Sequence, residues 1–230
     1  MAAGALSGVA TALAFPPHDV GLLAFFSLIP LALVFRAGKA PQVAVAAGVY
    51  GLVFFGLLFP WIHLFGTAAY VLLVVLETAF VVVFLLVGLA LRRRLPPALT
   101  PLAFGAAFLA GEFLRSHAPL GGFPWGGLGY TQHDHAAILR LAAYTGVWGI
   151  SLLIATVNAI LAEALVIVPA APGRAVALLG LAAALALAPG LLPVPVPKGA
   201  AMTLALVQRP PPVRDPSQGS AQEQSLRSEA

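Results

Sequence analysis

His133-Asp134-His135 sets two imidazoles and a carboxylate within three residues, donors that suit zinc or copper. In an extended segment residues 133 and 135 would share one side, but the glycine- and proline-rich surroundings give no assurance of a strand. Only His117 lies near in sequence as a further ligand, so solvated loop polarity is the simpler expectation and no metal is assigned. Ser116 beside His117 offers a hydroxyl and a base. Adjacent residues rarely meet in those roles, and no nucleophile-elbow glycines flank the serine. Glu112 and Arg115, three apart, would share a helix face and can pair. Glu77 lies near the middle of a long apolar run, where an ionised carboxylate costs about 2.5–3.5 kcal/mol on insertion scales. It needs a partner, with Thr78 and Asn158 as candidates, or a role such as proton relay or headgroup contact. Thiol chemistry is excluded, because the 230 residues contain no cysteine. No catalytic residue and no cofactor is assigned.

The elements that position these groups follow from composition. Hydrophobic residues make up 60% of the chain and charged residues 9%, against about 25% charged in soluble domains. Mean hydropathy is +0.98. Seven apolar runs are long enough to consider as crossings of a hydrocarbon core about 30 Å thick. They cover about 1–15, 20–35, 41–62, 67–91, 98–114, 137–168 and 174–192. The expected fold is therefore an all-α integral membrane bundle of about seven transmembrane helices. Its first two runs are short and joined by Pro16-Pro17-His18-Asp19, which reads as a hairpin; a secretory signal is disfavoured because no Lys or Arg precedes the first run. Gly4 and Gly8 have the spacing of close helix packing.

Charge sets the expected orientation. With the N-terminus inside, inner loops hold Arg36, Lys39, Arg92, Arg93, Arg94 and Arg174, while outer segments before the tail hold Arg115, Arg140 and Lys198. Everything after about Leu192 then lies outside, and all five histidines fall at or near the outer face. Glu163, near the inner end of its run, is expected at the interface within reach of the arginine triplet. The formal charge of +4 is read as topogenic, with no nucleic-acid partner.

Packing explains least between Gly111 and Arg140. Pro119, Gly121, Gly122, Pro124, Gly126, Gly127 and Gly129 forbid a regular helix and favour a folded loop at headgroup level. Phe123, Trp125 and Tyr130 read either as an aromatic belt or as the wall of a groove where small residues let lipid approach the backbone.

The run GEFLRSHAPLGGFPWGGLGYTQ, Gly111 to Gln132, resembles the signature of the apolipoprotein N-acyltransferases, integral membrane enzymes that complete bacterial lipoproteins. Ala10 to Arg36 resembles that family's opening hairpin and Tyr144 to Leu165 its following helix; the likeness covers nearly all of residues 1–208 in order. It implies a two-step acyl transfer, from phospholipid to a cysteine of an outer nitrilase-like domain as a thioester, then to the α-amino group of a diacylglyceryl-modified lipoprotein. It also implies a bacterial inner-membrane location, with phospholipid and lipoprotein as partners and no cofactor. Phe123, Pro124, Trp125, Tyr130 and Gln132 are the expected substrate contacts.

The chain departs from that pattern after the proline-rich Pro193 to Pro197. The expected domains are a transmembrane part over 1–198, a first nitrilase-like strand within 199–208 (MTLALVQ, Met202 to Gln208) and a disordered tail over 209–230. No cysteine and no later lysine is present for the family's catalytic set. The expectation is a membrane domain inactive alone, half of a split enzyme completed by a separately encoded nitrilase-like chain, or a non-catalytic lipid- or lipoprotein-binding module.

Overall fold

A computed structural model describes residues 1–194 and 204–206 of the chain. Residues 1–195 form one compact unit. The two short runs become α1 (Ala2–Leu13), a turn, α2 (Ala24–Ser27) and α3 (Ile29–Ala37). At 1.5 Å per residue α1 is about 18 Å long, too short to cross alone. Five longer helices follow the expected runs: α4 (Ala40–Leu58), α5 (Thr67–Arg92), α6 (Thr100–Arg115), then, after the four-residue α7 (Ala136–Leu139), α8 (Ala142–Ile167) and α9 (Pro172–Leu187). The sixth run is not one helix. Its first residues form α7, and inside α8 Gly146 takes φ 63°, ψ −170°, a conformation that glycine alone adopts without strain, so the regular crossing begins after it.

Neighbours in the bundle run α1–α4–α5–α6–α8, and the hairpin closes the ring because α2 and α3 pack on α8. α9 lies outside the ring, resting mainly on α8. Small residues set the close approaches, as expected where lipid supplies no hydrophobic drive between helices. A Cβ on Gly4 would overlap the Ala46 carbonyl, and one on Gly8 would lie 2.9 Å from the Tyr50 carbonyl oxygen and Val53. Gly105 likewise leaves room for Thr156 where α6 meets α8.

The hairpin's backbone is broken at Leu28, just before Pro30, and the freed groups find side chains. Leu28 N–H donates to Asn158 Oδ1 at 2.8 Å, Asn158 Nδ2 donates to the Ala24 carbonyl at 2.8 Å, and Leu31 N–H donates to Ser7 Oγ at 3.2 Å. Thr11 Oγ1 donates to Ser27 Oγ at 3.0 Å, and all of these polar side chains are buried. Irregular backbone at membrane depth is tolerated only when satisfied in this way.

At the end of the bundle opposite the Gly121–His135 loop, Arg36 meets Glu163 (Nε–Oε2 2.5 Å) and Arg92 Nη1 donates to the Arg36 carbonyl at 2.6 Å. Glu163 therefore pairs with Arg36 rather than with the Arg92–Arg94 triplet, since α3, not the end of α5, packs on α8. Among the described residues there is no strand. Of the stretch Met202 to Gln208, Leu204, Ala205 and Leu206 are described and carry no strand pairing; its remainder and the tail 209–230 lie outside the described residues.

Candidate functional site

The loop after α6 is pinned from within the membrane. Arg115, the last residue of α6, is 2% exposed and donates through Nη1 to three acceptors: Glu77 Oε2 at 2.8 Å, the Phe123 carbonyl at 3.1 Å and the Trp125 carbonyl at 2.7 Å. Its guanidinium carbon also lies 5.4 Å from the centre of the Phe55 ring, within cation–π range. One planar cation thus joins α5, α6 and the loop. Arg115 was counted among the cations of the outer segments, but it is a buried ion-pair member and does not face a membrane surface.

The expected pairing of Glu112 with Arg115 does not form. Glu112 turns its Oε1 to accept the Leu128 N–H at 2.8 Å, while its other oxygen is buried without a hydrogen-bond partner among the described residues. Nor are Thr78 and Asn158 the partners of Glu77: Thr78 donates to the Val74 carbonyl of its own helix, and Asn158 serves the hairpin. The loop folds back on α6 and brings its own backbone groups to the Glu112 carboxylate and the Arg115 guanidinium.

Local chemistry explains the loop's path. Phe123 N–H returns to the Arg115 carbonyl at 2.8 Å, closing the segment on itself, and Gly122 at φ +78° sits where a Cβ would run into the Ser116 and His117 backbone. Gly126 to Gly129 are buried and lead into the turn Leu128–Gln132, and Gly129 N–H donates to Ser151 Oγ at 2.9 Å, fixing the loop to α8.

Above this floor lies an open apolar groove of about 690 Å³ lined by Phe15 and Pro16 of the hairpin turn, Phe59 and Trp61 after α4, and Pro124, Trp125 and Tyr130 of the loop. Trp61 and Trp125 stand 5.5 Å apart, centroid to centroid. Trp125 is 58% exposed and Tyr130 46%, so both rings offer faces to a ligand. Of the expected contacts, Pro124, Trp125 and Tyr130 reach the groove. Phe123 packs behind it, edge-on to Phe59 at 5.2 Å. Gln132 is fully buried, and its Nε2 donates to the Gly21 carbonyl at 2.8 Å and to Thr131 Oγ1 at 2.7 Å; its amide ties the loop to the hairpin and touches no ligand surface.

Phe59, Trp61, Phe15 and Pro16 are groove residues that sequence reasoning missed. A signal existed for one pair, because Phe59-Pro60-Trp61 repeats the Phe123-Pro124-Trp125 tripeptide, and the two copies meet at this groove.

The histidine cluster resolves differently from its spacing. His133 lies between Asp19 of the hairpin turn and Asp134, with Nε2 3.4 Å from a carboxylate oxygen of each. His135 points elsewhere and is absent from the group, since the turn at 133–134 separates the two rings. All three members are solvent-exposed, and exposed pairs of this kind contribute about 0–1 kcal/mol, so the cluster is a surface contact between hairpin and loop. His117 stacks near Phe113 and Trp148, with Nδ1 2.7 Å from the Phe113 carbonyl, and Ser116 Oγ donates to the Glu112 carbonyl. That hydroxyl and that imidazole each serve the end of α6.

Residues 7–160 match the family model described as the apolipoprotein N-acyltransferase N-terminal domain. Among curated proteins, the apolipoprotein N-acyltransferase of Geobacter metallireducens is 33% identical over 175 residues, covering 68% of this chain and 32% of that protein. That of Ralstonia nicotianae is 35% identical over 174 residues, covering 70% and 33%, and that of Pasteurella multocida 31% over 163, covering 67% and 31%. The chain spans about a third of the length of these relatives.

Proposed function

We propose, from the premise that this chain belongs to the apolipoprotein N-acyltransferase family through its N-terminal membrane domain, that it holds phospholipid at the Trp61–Trp125 groove for acyl transfer to the amino group of a diacylglyceryl-modified lipoprotein. The observation that carries the reading is the groove itself, an exposed aromatic-walled slot whose Trp125 is held through its carbonyl by the Arg115 of the Glu77–Arg115 pair. The five long apolar helices and the shorter hairpin fit a bacterial inner-membrane protein. The cationic ends at Arg36, Arg92 to Arg94 and Arg174 support placing that face in the cytoplasm and the aromatic loop outside.

A cysteine nucleophile is not among these 230 residues. The thioester step is therefore supplied by a nitrilase-like half, encoded separately or joined to this one. A polypeptide of this sequence, as the sole protein in an assay with phospholipid and a diacylated lipopeptide, is expected to give no N-acylated peptide; product above the protein-free control overturns this.

Binding is tested apart from turnover. A phospholipid with a photoreactive group in its acyl chain is expected to label the segments around Trp61 and Trp125. Trp125→Ala should lower that labelling about fivefold, the effect of losing one aromatic wall. Labelling confined to other segments, with Trp125→Ala neutral, rejects the groove. A second reading is a non-catalytic lipid- or lipoprotein-binding module, favoured by a formed groove in a chain without a thiol. It predicts the same labelling with no turnover when a nitrilase-like half is added.

A further inference from the structure

The lining of the Trp61–Trp125 groove includes one histidine, His133, together with Tyr130 of the loop and Phe15 and Pro16 of the hairpin turn. Three acceptors surround its ring. Nδ1 lies 3.2 Å from the Tyr130 carbonyl oxygen, and Nε2 lies 3.4 Å from a carboxylate oxygen of Asp19 and 3.4 Å from one of Asp134. Among the described residues no Lys or Arg forms an ion pair with either aspartate.

A neutral imidazole has one N–H and one bare lone pair. With the proton on Nδ1, the Nε2 lone pair faces two carboxylates. With the proton on Nε2, the Nδ1 lone pair faces a carbonyl oxygen. Only the imidazolium, which donates from both nitrogens and carries a positive charge, suits all three acceptors at once.

Of the two carboxylates, Asp19 is the one that couples the ring to the groove wall. It belongs to the hairpin turn, and its N–H donates to the Phe15 carbonyl at 3.0 Å, closing the turn that carries Phe15 and Pro16. Asp134 belongs to the same turn as His133 and joins nothing to it from outside. The neighbouring tie between hairpin and loop, Gln132 Nε2 to the Gly21 carbonyl, is made of groups that do not titrate, so proton uptake leaves it untouched.

We infer that His133 is a proton-operated latch on this groove: the protonated ring holds the hairpin turn to the loop, and loss of the proton lets the two walls part and weakens lipid retention. The inference rests on the reading of the groove as a lipid site. Histidine is the side chain whose ordinary titration falls between about pH 5 and 8, so the latch works in the range that a bacterial surface meets.

The full chain in nanodiscs is labelled at pH about 5.5 and about 7.5 with a phospholipid carrying a benzophenone near the end of one acyl chain. Adducts are mapped by mass spectrometry and normalised to those on the exposed Leu72 and Val75 of α5. Adducts on the segments around Trp61 and Trp125 are expected to be about threefold more abundant at the lower pH, the scale that exposed ion pairs set. Asp19→Asn and His133→Gln should each keep labelling at the high-pH level throughout. His133→Lys, whose charge stays fixed over this range, should keep it near the low-pH level. Asp134→Asn leaves the contact between hairpin and loop in place and should preserve the dependence. Equal labelling of the parent protein at the two pH values overturns the latch and spares the groove, whereas groove segments labelled no more than α5 reject both. A dependence that survives Asp19→Asn overturns the latch, as does one that EDTA abolishes, which would show a metal ion in place of the proton.

Discussion

Arg115→Gln is expected to lower the stability of the folded bundle by about 3–5 kcal/mol, the cost of leaving one member of a buried ion pair without its partner. Glu77 would remain 1% exposed at membrane depth with no cation against it, and the Phe123 and Trp125 carbonyls would lose their shared donor. Unfolding titrations in mixed micelles measure the loss. Glu77→Gln should cost a similar amount, because the guanidinium cannot shed its proton. The two variants part at the loop. In Glu77→Gln, Arg115 keeps both carbonyls, so Trp125 fluorescence and its accessibility to a quencher should stay near those of the parent protein. In Arg115→Gln both should change. The paired variant Glu77→Leu/Arg115→Leu removes the unpaired charge and should recover much of the stability without restoring the loop. If the double loss equals the sum of the losses of Glu77→Leu and Arg115→Leu made singly, the pair carries no coupling and this account fails.

Asn158→Leu is expected to strand the Leu28 N–H, 130 residues away in sequence, and to leave the Ala24 carbonyl with the Ser27 hydroxyl at 3.2 Å as its remaining side-chain donor. An unsatisfied buried group costs about 1–3 kcal/mol in general, and hydrogen bonds inside membranes average nearer 0.6 kcal/mol, so a loss of about 1–3 kcal/mol is expected. The leucine adds volume at a fully buried position, so Asn158→Ala is the companion variant. Both should speed amide hydrogen exchange selectively at residues 24–31. Unchanged exchange there, with stability preserved, would show that the hairpin does not depend on this side chain.

These two residues also mark where reading the sequence stopped. Apolar runs of membrane length gave the helices nearly to their ends, because the hydrocarbon thickness dictates them whatever the helix packs against. Pro16-Pro17-His18-Asp19 revealed the hairpin, and the glycines around Trp125 revealed the folded loop. Partners were another matter. In a membrane helix apolar side chains face both lipid and protein, so periodicity says little about which side meets which neighbour. Glu77 advertised a need for a partner by its depth, yet its cation, 38 residues on, looked like a surface charge at a helix end. The same ambiguity hid Gln132, whose position within the recognisable loop suggested contact with substrate although it is fully buried. The break at Gly146 was silent because the residues on both sides are apolar, and a positive φ leaves no mark on hydropathy.

The reach of Asn158 has a consequence for how the protein is made. At synthesis rates of about 5–20 residues per second, the 130 residues between Leu28 and Asn158 take about 6–26 s to emerge. For that interval the hairpin has left the ribosome while the amide that completes its backbone does not yet exist. The newly made segment must keep the Leu28 N–H in contact with water or with the insertion machinery. Settling of the first two helices at full depth is then timed by arrival of the sixth apolar run, making the hairpin's insertion a late event in the life of the nascent chain.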